Sequence, residues 1–490
     1  MSSYPTADPA APPPSFGLLA ATFVFSHGAR FTGLLEPAFF QRLAEQHRVA
    51  FGNGPKHTFN PAVTLWAWLS QTLHPATSCT AAVARVLVLC AALNRPRCSG
   101  GAGGYCKARA KLPTAFVRAL TTQLGQQLED RAPDDWKWRG HSVVIVDGTL
   151  VRLPDTPENL VDYPQQRSQK PGVSPTCMRL VLLLSLATGA LLDLEAGAYR
   201  GQKTGEISLL RNVLERVVSG HILLGDRYYG SYPLLALLCQ RAAHGCFRLN
   251  TKRQETFGRG EKLGDDDYLQ TWVKPRQPPI WLTAAEWAAL PDTLRVRVLR
   301  VAVRRPGFRC RELFVGTTLL DPQLYPKEEV AQLYFDRWNG ELDIRAIKQT
   351  LGMSLLTCQT PKLVRTELWV HLLGYNLVRC VMAEAAWRKA LRPRQLSFSK
   401  AVQTLDAFRS DLSGPNPGAD LPAALLAAVA THRVGKRPNR YEPREIKHRQ
   451  RKYPELKKSR QERRAELAKA GEDEPGPKNK GRGANRPSGR

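Results

Sequence analysis

LYFDRWNGELDIRAIKQTLGM, residues Leu333–Met353, is dense in charge yet keeps apolar residues at regular intervals. Tyr334, Arg337, Glu341 and Lys348 follow one another at steps of three, four and seven. Along an α-helix such steps turn by about 300°, 400° and 700°, each within roughly 60° of whole turns. A phenol, a guanidinium, a carboxylate and an ammonium therefore share one face. Phe335, Leu342 and Ile347 pack elsewhere, and Trp338, beside the polar face, reads as core. On an arbitrary helix the pattern means a solvated ion pair, Arg337–Glu341, contributing about 0.3 kcal/mol. Whether Glu341 is instead one corner of an acidic site depends on what the upstream strands supply.

Upstream, SVVIVDGT (142–149) is a short β-branched strand ending in Asp147 and Gly148, and HILLGDRYYG (221–230) is a buried strand ending in Asp226. CMRLVLLLSLAT and ALLDLEAGAY read as two strands joined at Thr188-Gly189, EISLLRNVLERVV and YPLLALLCQRAAHG as helices, and CFRLN as a short strand. The order of three strands, helix, strand, helix, strand is that of a mixed α/β core. A carboxylate at the end of a buried strand is costly to desolvate unless something offsets it. Taken singly, each Asp is more often a turn residue, Asp-Gly being a common turn pair. If the two strands are neighbours, both carboxylates emerge at one edge of the sheet, and Glu341 is a third acid that can join them. Asp193 and Glu195 are further acids of the core, and Glu206 reads as a helix-start acid favoured by the macrodipole.

Three carboxylates are hard oxygen donors that suit Mg²⁺ or Mn²⁺. Two such ions about 4 Å apart can activate a hydroxyl and stabilise a leaving 3′ oxygen during in-line attack at phosphorus. Arg337 and Lys348, on the face of Glu341, would hold phosphates, Arg bidentately and Lys as a point charge. The composition agrees. The 490 residues hold 71 Lys or Arg against 43 Asp or Glu, a net charge of +28, with a pI near 10.0. That excess calls for a polyanionic partner, nucleic acid first. It speaks against a glycosidase-type carboxylate pair, whose chemistry needs no such charge.

The ten cysteines include no CxxC pair, which argues against a zinc ribbon, and most read as buried thiols of a reducing cytoplasm. No basic segment followed by a long apolar run opens the chain, so no signal peptide is expected. The most apolar stretch, Leu180–Leu192, has 13 residues and is too short to span a bilayer. LRVRVLRVAV alternates with period two and reads as a half-exposed strand with a basic face. SGGAGGYCKARAKLP lacks phosphate-loop spacing and reads as a loop beside a basic surface.

The spacing Tyr334-x2-Arg337-x3-Glu341-x6-Lys348 resembles the YREK signature of bacterial transposases of the insertion-sequence-four group. DGT at Asp147, LGDRYYG at Asp226, GGYCKARAKLP and RPNRYEPREIKHR strengthen the likeness, which covers most of residues 35–455. The resemblance implies an RNase H-like catalytic domain whose triad, Asp147, Asp226 and Glu341, binds divalent metal: Mg²⁺, with Mn²⁺ as a substitute, two ions in all. It implies that Tyr334, Arg337 and Lys348 contact the phosphates of transposon-end DNA. It implies cutting with water as nucleophile, in some members through a hairpin, and joining of the 3′-OH to target DNA. A tryptophan of the insertion can stack on a flipped base, with Trp272, Trp281 and Trp287 as candidates, though each is individually more often core. Synapsis of two ends implies a homodimer, and the setting is the bacterial cytoplasm, at the nucleoid, with no membrane.

The expected organisation is a disordered 1–15, a helical DNA-binding region 16–135 and a catalytic core 136–250. A mainly β insertion follows at 251–325, then the rest of the core with the YREK helix at 326–392. A helical region 393–432 and a basic tail 433–490 complete the chain. The tail carries 20 Lys or Arg against 8 Asp or Glu and is expected to be disordered when free. Two other functions share these features: a catalytically inactive DNA-binding descendant, and a metal-dependent DNA nuclease without strand transfer. An intact triad argues against the first, since a binding protein needs no three metal-binding acids. Only a joining assay separates the second.

Overall fold

The computed structural model describes residues 14–24, 27–54, 57–95, 98–166, 172–303, 312–412, 420–435 and 457–470. Among the described residues nine strands form one sheet: β1 Val143–Leu153, β2 Thr176–Ser185, β3 Leu191–Ala198, β4 Ile222–Gly225, β5 His244–Arg248, β6 Glu261–Gly264, β7 Asp267–Val273, β8 Thr293–Ala302 and β9 Glu312–Thr317. Their order is β3-β2-β1-β4-β5-β9-β8-β7-β6. β1 runs antiparallel to β2 and parallel to β4, and β4 runs parallel to β5. The mixed α/β class holds, with a helical region on either side of the sheet-forming segment in sequence. The insertion strands extend the core sheet, because β9 pairs antiparallel with β5.

Period-two alternation along β1 feeds two cores. Val143 and Ile145 join a cluster with the N-terminal helices and the long helix Pro361–Trp387, while Val144 and Val146 join Leu209, Leu235 and Tyr229 on the opposite face. The N-terminal helices Pro61–Leu73 and Cys79–Ala92 start where the sequence supplies caps: Asn60 accepts from the Val63 N–H and Ser78 from the Ala81 N–H. Pro361–Trp387 is buried on all sides from Leu368 to Ala386, which makes it a central core helix. Among the described residues, no helix is long and apolar enough to cross a membrane.

Five expectations need correction. β1 does not stop at Asp147, because Leu150–Leu153 continue to pair with β2; what ends there is the pairing with β4, last seen at Ile145–Leu224. The Gly-rich segment is a loop only up to Ala102; Gly103–Lys111 is a helix, since Tyr105 and Ala108 bury one face of an Ala- and Lys-rich run. Arg297 does not face solvent: it is fully buried and paired at 2.6 Å with Asp267 of β7, while Arg295 and Arg300 pair with Glu261 and Asp266. Trp338 is 45% exposed, so it is not core. The tail carries a helix at Arg460–Ala470, with Ser459 against Gly172.

Residues 1–13, 436–456 and 471–490, and with them RPNRYEPREIKHR, lie outside the described residues. Trp272 is buried at 2% exposure beneath Arg253, and Trp281 and Trp287 pack against the second cluster. Nine cysteines are free thiols, of which Cys90, Cys246, Cys358 and Cys380 are buried and Cys239 is exposed; Cys310 lies outside the described residues.

Candidate active site

The in-register parallel pairing of β1 with β4 sets the first two acids. Ile145 lies opposite Leu224, so two residues on, Asp147 and Asp226 stand abreast where β4 ends. Asp147 is half-sheltered, and its Oδ1 accepts the Gly148 N–H at 2.9 Å. Asp226 opens a tight turn, its Oδ1 accepting the Tyr228 N–H at 2.8 Å. Glu341 arrives on the helix Trp338–Arg345, which lies so close to β1 that a Cβ on Gly340 would come within 2.7 Å of the Ile145 side chain. Only glycine permits that approach.

Arg337 ties the third acid to the first. Its guanidinium donates to Glu341 Oε1 at 2.8 Å and lies 4.0 Å from Asp147 Oδ2. Burial pushes the Asp147 carboxyl up to about 6; Arg337 opposes the rise, and the charges of Asp226 and Glu341 add to it. The three acids thus share one electrostatic neighbourhood. Among the described residues, however, no three His, Cys, Asp or Glu side chains are gathered closely enough to hold an ion.

The other two residues of the signature are not on the same open face. The stretch is not one uniform helix: Lys327–Asp336 and Trp338–Arg345 are α-helical and Ala346–Thr350 is a π-helix. Tyr334 is buried at 6% exposure, and that burial pushes its phenol up to about 12. Lys348, on the wider π turn, donates to Thr149 Oγ1 at 3.1 Å and to the Leu150 carbonyl at 2.8 Å, so it docks the helix onto β1 just past Asp147. The chain then pairs with the same strand through the bridge Arg152–Leu355. Of the other acids, Asp193 is buried between Arg118 and Arg216, a structural pairing. Burial raises the Glu195 carboxyl.

Sequence reasoning missed two features. Glu206 does start the helix Glu206–Val213, but its carboxylate also lies directly over Gly148. Asp343, two residues beyond Glu341, is buried between Arg379 and Arg394. The only signal for the latter was an acid on the apolar side of the opening stretch.

The raised Asp147 carboxyl has a testable consequence. Its folded value lies above the unfolded one, so its contribution to stability is fully present below about 3.8 and is lost as pH rises through about 6. In EDTA at pH 8, Asp147→Asn is therefore expected to be more stable than wild type by up to about 3 kcal/mol, and no more stable at pH 3.5. Urea unfolding at the two pH values measures this. Equal midpoints at pH 8 would show that Asp147 is not desolvated.

Residues 138–377 match the family described as "Transposase DDE domain". The matched segment begins just before β1 and ends within the long helix, so the sheet and site described above belong to a transposase DDE domain. The transposase InsG of insertion sequence element IS4 from Escherichia coli (strain K12) is 32% identical over 362 residues, covering 72% of this chain and 78% of that protein. A putative transposase of the same strain, InsZ, is 32% identical over 145 residues, 29% of this chain and 46% of that protein. A piggyBac transposase in a synaptic complex with hairpin DNA gives a TM-score of 0.41 at 10% identity, covering 87% of this chain and 86% of that one. The chain belongs to the insertion-sequence-four family of DDE transposases, enzymes that cut and join DNA.

Proposed function

We propose that the protein binds the terminal inverted repeats of an insertion sequence, cuts at the transposon ends and joins the freed 3′-OH to target DNA. The observation that carries this is the register of β1 and β4, with Asp147 and Asp226 abreast and Glu341 brought to them across Gly340. Asp147, Asp226 and Glu341 are the acids of the site. Their chemistry suits a divalent cation once the carboxylates are drawn together: all are hard oxygen donors, and Asp147 is a desolvated carboxylate beside two like charges, which a cation would relieve. If held there, Mg²⁺ or Mn²⁺, two ions in all, would supply charge for the phosphorus being attacked and for the leaving oxygen.

The chain's own residues do the rest. Arg337, already between Asp147 and Glu341, is the cation best set to take a phosphate when the acids turn to metal. Lys348 holds the helix to β1, and reaches DNA only by giving up its bonds to Thr149 and Leu150. Tyr334, buried and in the electrostatic neighbourhood of Arg337, has little surface to offer DNA. The N-terminal helices read the ends; their cleft of about 580 Å³ is lined by Arg95, Lys107 and Lys111, and the net charge of +28 supplies the long-range attraction. One copy of the chain per end makes the working unit a homodimer, in the bacterial cytoplasm at the nucleoid.

The test is a cleavage and joining assay on DNA carrying the element's own terminal repeats, with Mg²⁺, Mn²⁺ or EDTA. Nicking at the repeat boundary in either metal and none in EDTA, followed by joined product, is expected. Metal-dependent nicking without joined product would favour a nuclease, and binding without nicking an inactive descendant.

A further inference from the structure

Gly148 sits inside β1 with no turn to make, so its missing side chain needs another reason. A Cβ built there would lie 2.4 Å from the Glu206 Cδ and 2.5 and 2.6 Å from its two oxygens. A side chain at 148 would displace the Glu206 carboxylate, which occupies the space beside Asp147. That carboxylate is not loose. Glu206 is the first residue of its helix, which is anchored by buried Leu209, Leu210 and Val213, and its Oε2 accepts the Tyr229 hydroxyl at 3.2 Å.

Tyr229 links this acid to the other strand. It is 1% exposed, its ring lies against Gly225 at the end of β4, and its N–H donates to the Asp226 carbonyl at 3.2 Å. The same turn fixes the Asp226 side chain through the Tyr228 N–H. A continuous path therefore runs from the Asp226 turn through the Tyr229 ring and the Glu206 carboxylate to Gly148 and Asp147. Burial holds the Tyr229 phenol well above its usual value, and Glu206, Asp147 and Asp226 push it the same way, so the hydroxyl stays a donor.

We propose that Glu206 and Tyr229 are a positioning pair that fixes the separation of Asp147 and Asp226 across the sheet. This rests on the transposase reading, in which those two acids hold divalent metal. The pair acts from outside the acids themselves, as the groups that orient metal ligands do. Its action depends on shape and one hydrogen bond, not on the charge of Glu206.

The experiment is a Mn²⁺ titration of the metal-stripped full chain, followed by electron paramagnetic resonance, with urea unfolding as the check on fold. Tyr229→Phe, which keeps the ring and loses the hydroxyl, is expected to weaken Mn²⁺ binding by roughly tenfold without unfolding the protein. Glu206→Ala should do the same, and the double variant should be no worse than either single. Glu206→Gln still accepts from Tyr229 and still fills the space over Gly148, so it is expected to bind Mn²⁺ as wild type does. Glu206→Gln as weak as Glu206→Ala would overturn the proposal in favour of a direct role for the charge. Asp147→Asn separates the two levels of the argument. Binding lost there but intact in Tyr229→Phe and Glu206→Ala overturns the positioning pair alone, whereas binding that survives Asp147→Asn overturns the metal reading and the pair with it.

Discussion

Asp147→Asn, Asp226→Asn and Glu341→Gln are each expected to lower cleavage at the transposon end by about 10³-fold or more, while end binding stays near wild type. Each amide keeps the size of the acid and removes the charge that a metal needs. A metal at the reacting phosphorus is worth several kcal/mol, and every 1.36 kcal/mol is a factor of about ten in rate. On the proposed function, binding is carried instead by the basic surface, which these variants leave alone. Timed cleavage on radiolabelled end DNA, beside a mobility-shift titration, measures both quantities. Cleavage retained in any one variant would remove that acid from the mechanism. Asp147→Asn carries an added signature, since the same substitution is expected to stabilise the metal-free protein. A variant that is more stable and inactive cannot be dismissed as misfolded.

Asp343→Ala should be the most destabilising single change near the site. Asp343 is 1% exposed and takes charge-assisted hydrogen bonds from Arg379 and from Arg394, the latter at 2.7 and 2.8 Å. Arg379 also donates to the Tyr375 hydroxyl, and Arg394 to the Leu186 carbonyl. Removing the acid leaves two sheltered guanidiniums without a counter-charge, a loss of roughly 3–5 kcal/mol. Asp162→Ala is the control, because its pair with Arg365 is largely exposed and contributes about 1 kcal/mol at most. Urea midpoints of the two variants make the comparison. An Asp343→Ala loss no larger than that of Asp162→Ala would mean the two arginines find water once the acid is gone.

The local elements of the core were legible because their signals are local. Short β-branched runs, the Thr188-Gly189 turn and helix-spaced apolar residues gave the strand and helix order from Val143 to Arg248. Spacing also put Arg337 next to Glu341, since an i,i+4 pair needs nothing beyond its own helix. What failed depended on partners far along the chain. Asp-Gly at 147–148 looks like a turn until β2 pairs across it. Arg297 looks like a surface residue until Asp267 on β7 receives it. Gly148 has no visible reason until Glu206 is laid over it. Lys348 counts as a face residue only on an even α-helix, and the π turn beneath it is not written in the spacing.

The single nine-stranded sheet has a geometric consequence. Six strand-to-strand steps separate β1 from β6, which at about 4.8 Å each is roughly 29 Å. Strands twist by about 20–25° per step, so the outermost strand is turned by roughly 120–150° from the one bearing Asp147. A stiff, straight rod laid across Asp147 and Asp226 could not also lie flat on β6 and β7. The far rim of the sheet addresses a different direction in space, and a duplex engaged at both places would have to bend or belong to two separate molecules of DNA.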